Sequence, residues 1–150
     1  MVSIVMGSKS DLPIMEETAN KLRELGINYE IKIMSAHRTP ETVRTFAKSL
    51  EKRNIEVVIA GAGGAAVLPG VIAAFTQIPV IGVPIKSELN GLDSLLSIAQ
   101  MPKGVPVATM AIGVAGAVNA AIFAAEILSL KYPKIKAKLS KFKRSLSALK

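Results

Sequence analysis

The sequence predicts a doubly wound α/β domain, a parallel sheet between two helical layers, ending in a basic amphipathic helix. Three observations lead there. Short β-rich apolar runs alternate about five times with segments of helical period. The connections between them are short, which favours a parallel sheet with crossover helices on both faces. Half of the 150 residues are hydrophobic, and a chain of this length can bury roughly 70% of its unfolded surface.

Taken in order, Val2–Met6 is a buried strand running into a loop at Gly7. From Pro13 to Leu25, apolar residues at Ile14, Met15, Ala19, Leu22 and Leu25 have helical spacing, and Gly26 closes the helix. Tyr29–Met34 alternates as a strand does. Thr39 is placed as an N-cap, with Pro40 in the first helical position and Glu41 at the positive end of a helix running to about Arg53. Ile55–Ala60 is the third strand, ending in GAGGAA. Ala65–Gln77 is mostly helical, bent or restarted at Pro69-Gly70. Pro79–Val83 is a strand, Leu92–Gln100 a short helix, and Val105–Ala111 a strand that Pro106 places toward an edge. After Gly116, AVNAAIFAAEILSL is apolar nearly all round, as expected of a helix buried on several sides, including a subunit contact.

Charge divides the chain at about residue 130. Residues 1–130 carry 11 basic and 11 acidic side chains, whereas residues 131–150 carry eight Lys or Arg and no acid. The net charge of +8 therefore belongs to the tail. In that tail, apolar residues at 132, 135, 139, 142, 146 and 149 form one seam on a basic helix, expected to pack across a neighbouring subunit. The reading is one domain over 1–130 followed by an amphipathic helix over 131–150. The neutral domain and the scarcity of aromatic residues argue against a nucleic-acid binder. No cysteine and a single histidine exclude disulfides and thiolate or histidine-rich metal sites. The start MVSIVMGSKSD lacks the pattern of a signal peptide. The apolar runs stop short of the ~20 residues a membrane span needs, so a cytoplasmic protein without membrane contact is expected.

In doubly wound sheets, ligands bind outside the carboxyl ends of the strands, and three predicted strand ends carry unusual residues. GSKSD offers the hydroxyls of Ser8 and Ser10 for a phosphate before a helix N-terminus, and Asp11 for sugar hydroxyls. Its plainer reading is that Ser10 or Asp11 caps the helix. SAHRTP places Arg38, a phosphate ligand, beside His37, which can exchange a proton near neutral pH. Capping and core packing are the alternatives for that histidine. GAGGAA brings backbone N–H groups at Gly61, Gly63 and Gly64 close to a ligand, without the spacing of a dinucleotide fingerprint. Together these suit a phosphorylated small molecule and cofactor-free proton transfer.

MGSKSD, SAHRTPE, IAGAGGAAVLPG, PVIGVP, LDSLLSIAQMPKGVPVAT and AGAVNAA, in that order over about residues 2–130, resemble the class I PurE family. The resemblance implies a flavodoxin-like three-layer α/β/α sandwich assembled as a homo-octamer. It implies a mutase of de novo purine (IMP) biosynthesis that moves a carboxylate of 5-(carboxyamino)imidazole ribonucleotide from the exocyclic amine to the ring carbon. No ATP, metal or organic cofactor is implied. Carried over by position, His37 moves protons; Ser8, Asp11 and Arg38 bind the ribonucleotide, with Ser10 and Ser35 near the phosphate. Ala62, Gly63 and Leu68 line the base and carboxylate end. One position departs: where the family reads His-Leu-Pro-Gly, this chain reads Val67-Leu68-Pro69-Gly70. Two other readings stand beside the mutase. One is a lyase that adds CO2 directly to aminoimidazole ribonucleotide. The other is a ribonucleotide-binding protein without turnover, because Val67 replaces the histidine.

Overall fold

The computed structural model describes residues 1–147. Five parallel strands form one sheet: β1 (Val2–Met6), β2 (Tyr29–Ile33), β3 (Val57–Gly63), β4 (Val80–Ile85) and β5 (Ala108–Thr109), in the order β2-β1-β3-β4-β5. Among the described residues six α-helices connect and flank them: α1 (Leu12–Glu24), α2 (Pro40–Ser49), α3 (Leu68–Ala73), α4 (Leu92–Ala99), α5 (Val114–Ser129) and α6 (Pro133–Ser147). The expected three-layer flavodoxin-like sandwich is the architecture found.

Each face of the sheet has its own core, because strand side chains alternate in direction. Ile4, Met6, Ile59 and Val83 pack with α1, α5 and α6 on one face. Val5, Val58, Ala60 and Ala62 pack with α2, α3 and α4 on the other. The alanine row Ala117, Ala120, Ala121, Ala124 and Ala125 lets α5 lie close to the sheet, and all five are fully buried within the chain. Gly116 is obligatory for this approach, since a Cβ there would collide with the Ala111 carbonyl.

Several expected boundaries move. The helix expected to run to about Arg53 ends at Ser49, followed by a tight turn at Glu51–Arg53 and a left-handed Asn54 (φ 56°). Strand β3 extends through Gly63, so half of GAGGAA belongs to the sheet. Helix α3 starts only at Leu68, where Pro69 suits the first turn. Strand β5 shrinks to two residues, because Pro106 has no N–H to give and only Ala108 and Thr109 stay in register with Ile81 and Gly82.

The tail helix is also corrected. Leu139 is buried, and Tyr132, Ile135 and Phe142 pack against the core shared by α1 and α5 of the same chain. The seam over 132, 135, 139 and 142 therefore has its partner within the protein. Leu146 is exposed, and position 149 lies outside the described residues.

Candidate active site

The chain leaves β1 for β2 on one side and returns to β3 on the other, so a crevice opens where the order reverses. A cleft of about 330 Å³ occupies it, lined by the loops after β1, β2, β3 and β4. Ser8, Ser10, Asp11, Ser35, His37, Ala62, Gly63 and Leu68 all line this cleft, as does Val67. Of the residues expected from the sequence, Arg38, Gly61 and Gly64 are not on its wall: Gly61 packs against Met15 and the Gly64 N–H turns to Ser87. Arg38 is the one side chain among them. It stands at the lip, with its guanidinium donating to the Gly7 carbonyl at 3.3 Å.

The loop after β1 is a reciprocal capping box rather than a cap by Ser10 or Asp11 on the long helix. Ser8 Oγ accepts from the Ser10 N–H (3.3 Å), and Asp11 Oδ2 accepts from the Ser8 N–H (3.1 Å). Ser10 Oγ donates to Ser8 Oγ at 2.9 Å. The same hydroxyl lies 3.4 Å from Asp11 Oδ1, so its single proton is shared between Ser8 and Asp11. Burial pushes the Asp11 carboxyl above the usual range, against hydrogen bonds from the Ser8 N–H, the Ser10 hydroxyl and the Gly7 N–H. A carboxylate kept in so dry a place is a strong acceptor for a hydroxyl donor.

The loop after β2 is organised by Ser35. Its carbonyl accepts from the Thr39 N–H (2.8 Å) and the Thr39 hydroxyl (2.9 Å), and its Oγ accepts from the Arg38 N–H (3.3 Å). Thr39 occupies the N-cap position of α2 but gives no side-chain cap, because its hydroxyl donates back to Ser35. The tight turn holds Ala36, His37 and Arg38 out from the sheet. His37 is exposed, so it is not a core residue, and the N-cap position of α2 belongs to Thr39.

The loop after β3 forms the floor. Gly64 adopts φ +61°, which glycine takes without strain, and its N–H donates to Ser87 Oγ at 3.2 Å. Ala66, which also lines the cleft, is forced to φ 34°.

Lys86 and Ser87, at the end of β4, were not singled out by the sequence reading. The signal was present: they directly follow a strand, as the other three loops do. KSELNG looks like an ordinary polar loop, and nothing in its composition marks it.

The family model for AIR carboxylase matches residues 1–148. The chain belongs to the AIR carboxylase family. A relative in Pyrococcus abyssi, named N5-carboxyaminoimidazole ribonucleotide mutase, is 62% identical over 146 residues, 97% of this chain and 83% of its own. One of the same name in Thermotoga maritima is 60% identical over 97% of this chain and 84% of its own. The crystal structure of Treponema denticola PurE matches with a TM-score of 0.89 at 33% identity, covering 98% of this chain and 91% of that one.

Proposed function

We propose that this protein is an isomerase of purine biosynthesis that converts 5-(carboxyamino)imidazole ribonucleotide to 5-amino-4-carboxyimidazole ribonucleotide. The observation that carries the reading is the convergence of His37, Asp11 and the Ser8 and Ser35 hydroxyls on one cleft floored by glycine backbone. Relatives at 60–62% identity bearing the mutase name support it.

In this reading, Arg38, Ser8 and Ser35 hold the phosphate, with Ser10 supporting Ser8, and Asp11 accepts from the ribose hydroxyls. Ala62, Gly63 and Leu68 enclose the base. Protonated His37 gives its proton to the exocyclic nitrogen as the N–C bond breaks, releasing CO2 and an electron-rich aminoimidazole. The ring carbon attacks the CO2, and neutral His37 then removes the proton from that carbon. One proton leaves the imidazole and one returns, so the cycle closes without a cofactor. Holding CO2 beside its acceptor replaces a bimolecular encounter, and the positioned acid–base group adds typically ~10²–10⁴ in rate.

Val67 lines the same cleft with an apolar side chain that can neither donate a hydrogen bond nor carry a proton. A homo-octamer in the cytoplasm belongs to the same proposal. The exposed Ile31, Ile33, Leu92, Leu96 and Phe123 are apolar surface suited to assembly. No helix among the described residues is long and apolar enough to cross a membrane.

The test is ATP-free interconversion of the two carboxylated ribonucleotides, followed by ultraviolet absorbance, for the wild type and Val67→His. Turnover without added bicarbonate is expected of the wild type. Turnover only from aminoimidazole ribonucleotide plus bicarbonate would instead make it a direct carboxylase. A silent wild type rescued by Val67→His would make it a ribonucleotide binder that has lost its chemistry.

A further inference from the structure

We infer that Lys86 is a second anion contact of the cleft, holding the migrating carboxylate at the end away from the phosphate. This rests on the mutase reading for the identity of the ligand. Four observations lead to it.

The first is position. Gly63 and Ile85 are the last paired residues of β3 and β4, so Lys86 is the first residue beyond the sheet, beside the glycine floor. It lines the same cleft as His37 and Ser8. Arg38 enters from the β2 side and Lys86 from the β4 side, with β1 and β3 between them. Three strand spacings, roughly 14 Å, separate β2 from β4. Cations on these two sides of the cleft suit a ligand with one anionic group at each end.

The second is rigidity of the backbone beneath it. Ser87 Oγ accepts the Gly64 N–H at 3.2 Å and donates to Asp93 Oδ2 at 2.6 Å. Ser94 Oγ donates to the Ile85 carbonyl at 2.8 Å. Left-handed Asn90 and Gly91 close the loop. Lys86 is therefore anchored at its root on both sides.

The third is charge. Lys86 is exposed and takes part in none of the ion pairs formed among the described residues. Asp11, the acid on the cleft wall, repels a carboxylate, so the substrate carboxylate must lie away from it. Lys86 is the cation on the far side.

The fourth is chemistry. The carboxylate moves from an exocyclic nitrogen to the neighbouring ring carbon. An ammonium on a flexible stem can follow such a shift, whereas a guanidinium fork prefers one fixed geometry. A contact that holds the carboxylate and lapses as neutral CO2 forms favours reactant and product over the transition state, so it lowers KM without raising kcat.

The experiment compares Lys86→Gln and Lys86→Arg with the wild type. KM and kcat are measured for both carboxylated ribonucleotides, and Kd for both and for uncarboxylated aminoimidazole ribonucleotide. Lys86→Gln is expected to raise KM and Kd for the carboxylated pair roughly tenfold, the usual worth of one charge-assisted contact. Its kcat should not fall, its Kd for the uncarboxylated nucleotide should stay within about twofold, and Lys86→Arg should restore affinity for one carboxylated nucleotide more than for the other, because its fork fits one position of the carboxylate. Unchanged affinity for the carboxylated pair overturns the inference. An equal loss for the uncarboxylated nucleotide also overturns it, since Lys86 would then serve the phosphate or sugar. A wild type that binds the carboxylated nucleotides without interconverting them sinks the mutase reading alone, because the affinity comparison still decides Lys86. A wild type that binds none of them overturns both.

Discussion

Glu56 and Asp11 are carboxylates at opposite poles of the sheet, one just before β3 and the other just after β1. Burial raises the pKa of both, but only Glu56 is compensated. Lys131 Nζ donates to Glu56 Oε1 at 2.9 Å, Tyr132 Oη to the same oxygen at 2.8 Å, and the amino-terminal nitrogen to Oε2 at 3.0 Å. These contacts outweigh burial and bring Glu56 down to about 2. Asp11 has the Ser8 and Gly7 amides and the Ser10 hydroxyl but no cation among the described residues, and burial keeps it raised. At the amino pole, charge is matched within the protein and ties the start of α6 to the sheet. At the carboxyl pole, Asp11, His37 and Lys86 are left for something else to match. The difference marks which end holds the molecule together and which end meets a ligand.

The largest expected break in this contrast is His37→Asn. Asparagine keeps a polar group of similar reach but cannot carry the proton, so kcat should fall ~10²–10⁴-fold. The ribonucleotide Kd should hardly change, and calorimetric titration beside the absorbance assay separates the two. An unchanged rate would remove His37 as the proton carrier.

Asp11→Asn should move stability and binding in opposite directions. The folded-state pKa of Asp11 is raised, so ionised Asp11 opposes folding, and stability falls as pH rises through the ordinary carboxyl range and up to that raised value. Removing the charge should raise Tm at pH 7 by a few degrees and flatten that part of the pH–stability curve. The same change should weaken the ribonucleotide roughly tenfold through the lost acceptor. A lower Tm would mean that the capping box depends on the charge.

Glu56→Gln should sharpen the contrast from the other pole with the smallest effect on turnover. Its folded-state pKa is depressed, so its contribution is complete above the unfolded value of 4.5 and is lost as pH falls from there toward about 2. The variant should melt lower at pH 7, and its deficit should shrink across that window. Its kcat/KM should match the wild type, since Glu56 lies at the far end of the sheet. A deficit that persists at pH 2 would show that the lost contacts were not ionic.

Much of the fold follows from local signals. Helical spacing from Ile14 to Leu25 and the left-handed Gly26 define α1 and its end. Short apolar runs define β1 and β4, because strand and helix periods are imposed within a few residues. Motifs at three strand ends, together with the rule that ligands meet the carboxyl edge, were enough to bring Ser8, Asp11, Ser35, His37 and Gly63 to one place.

What the tertiary structure alone decided depends on partners distant in sequence. Pairing with Ile85 drew Gly63 into β3, and the lack of an N–H at Pro106 reduced β5 to two residues. The seam of α6 reads equally well as an intermolecular or an intramolecular surface. Only the placement of α1, from the other end of the chain, beside α5 makes it intramolecular. Lys86 and Ser87 carry no local mark. They reach the cleft because β4 lies beside β3 in the sheet, and strand order, unlike strand identity, is a property of the whole chain.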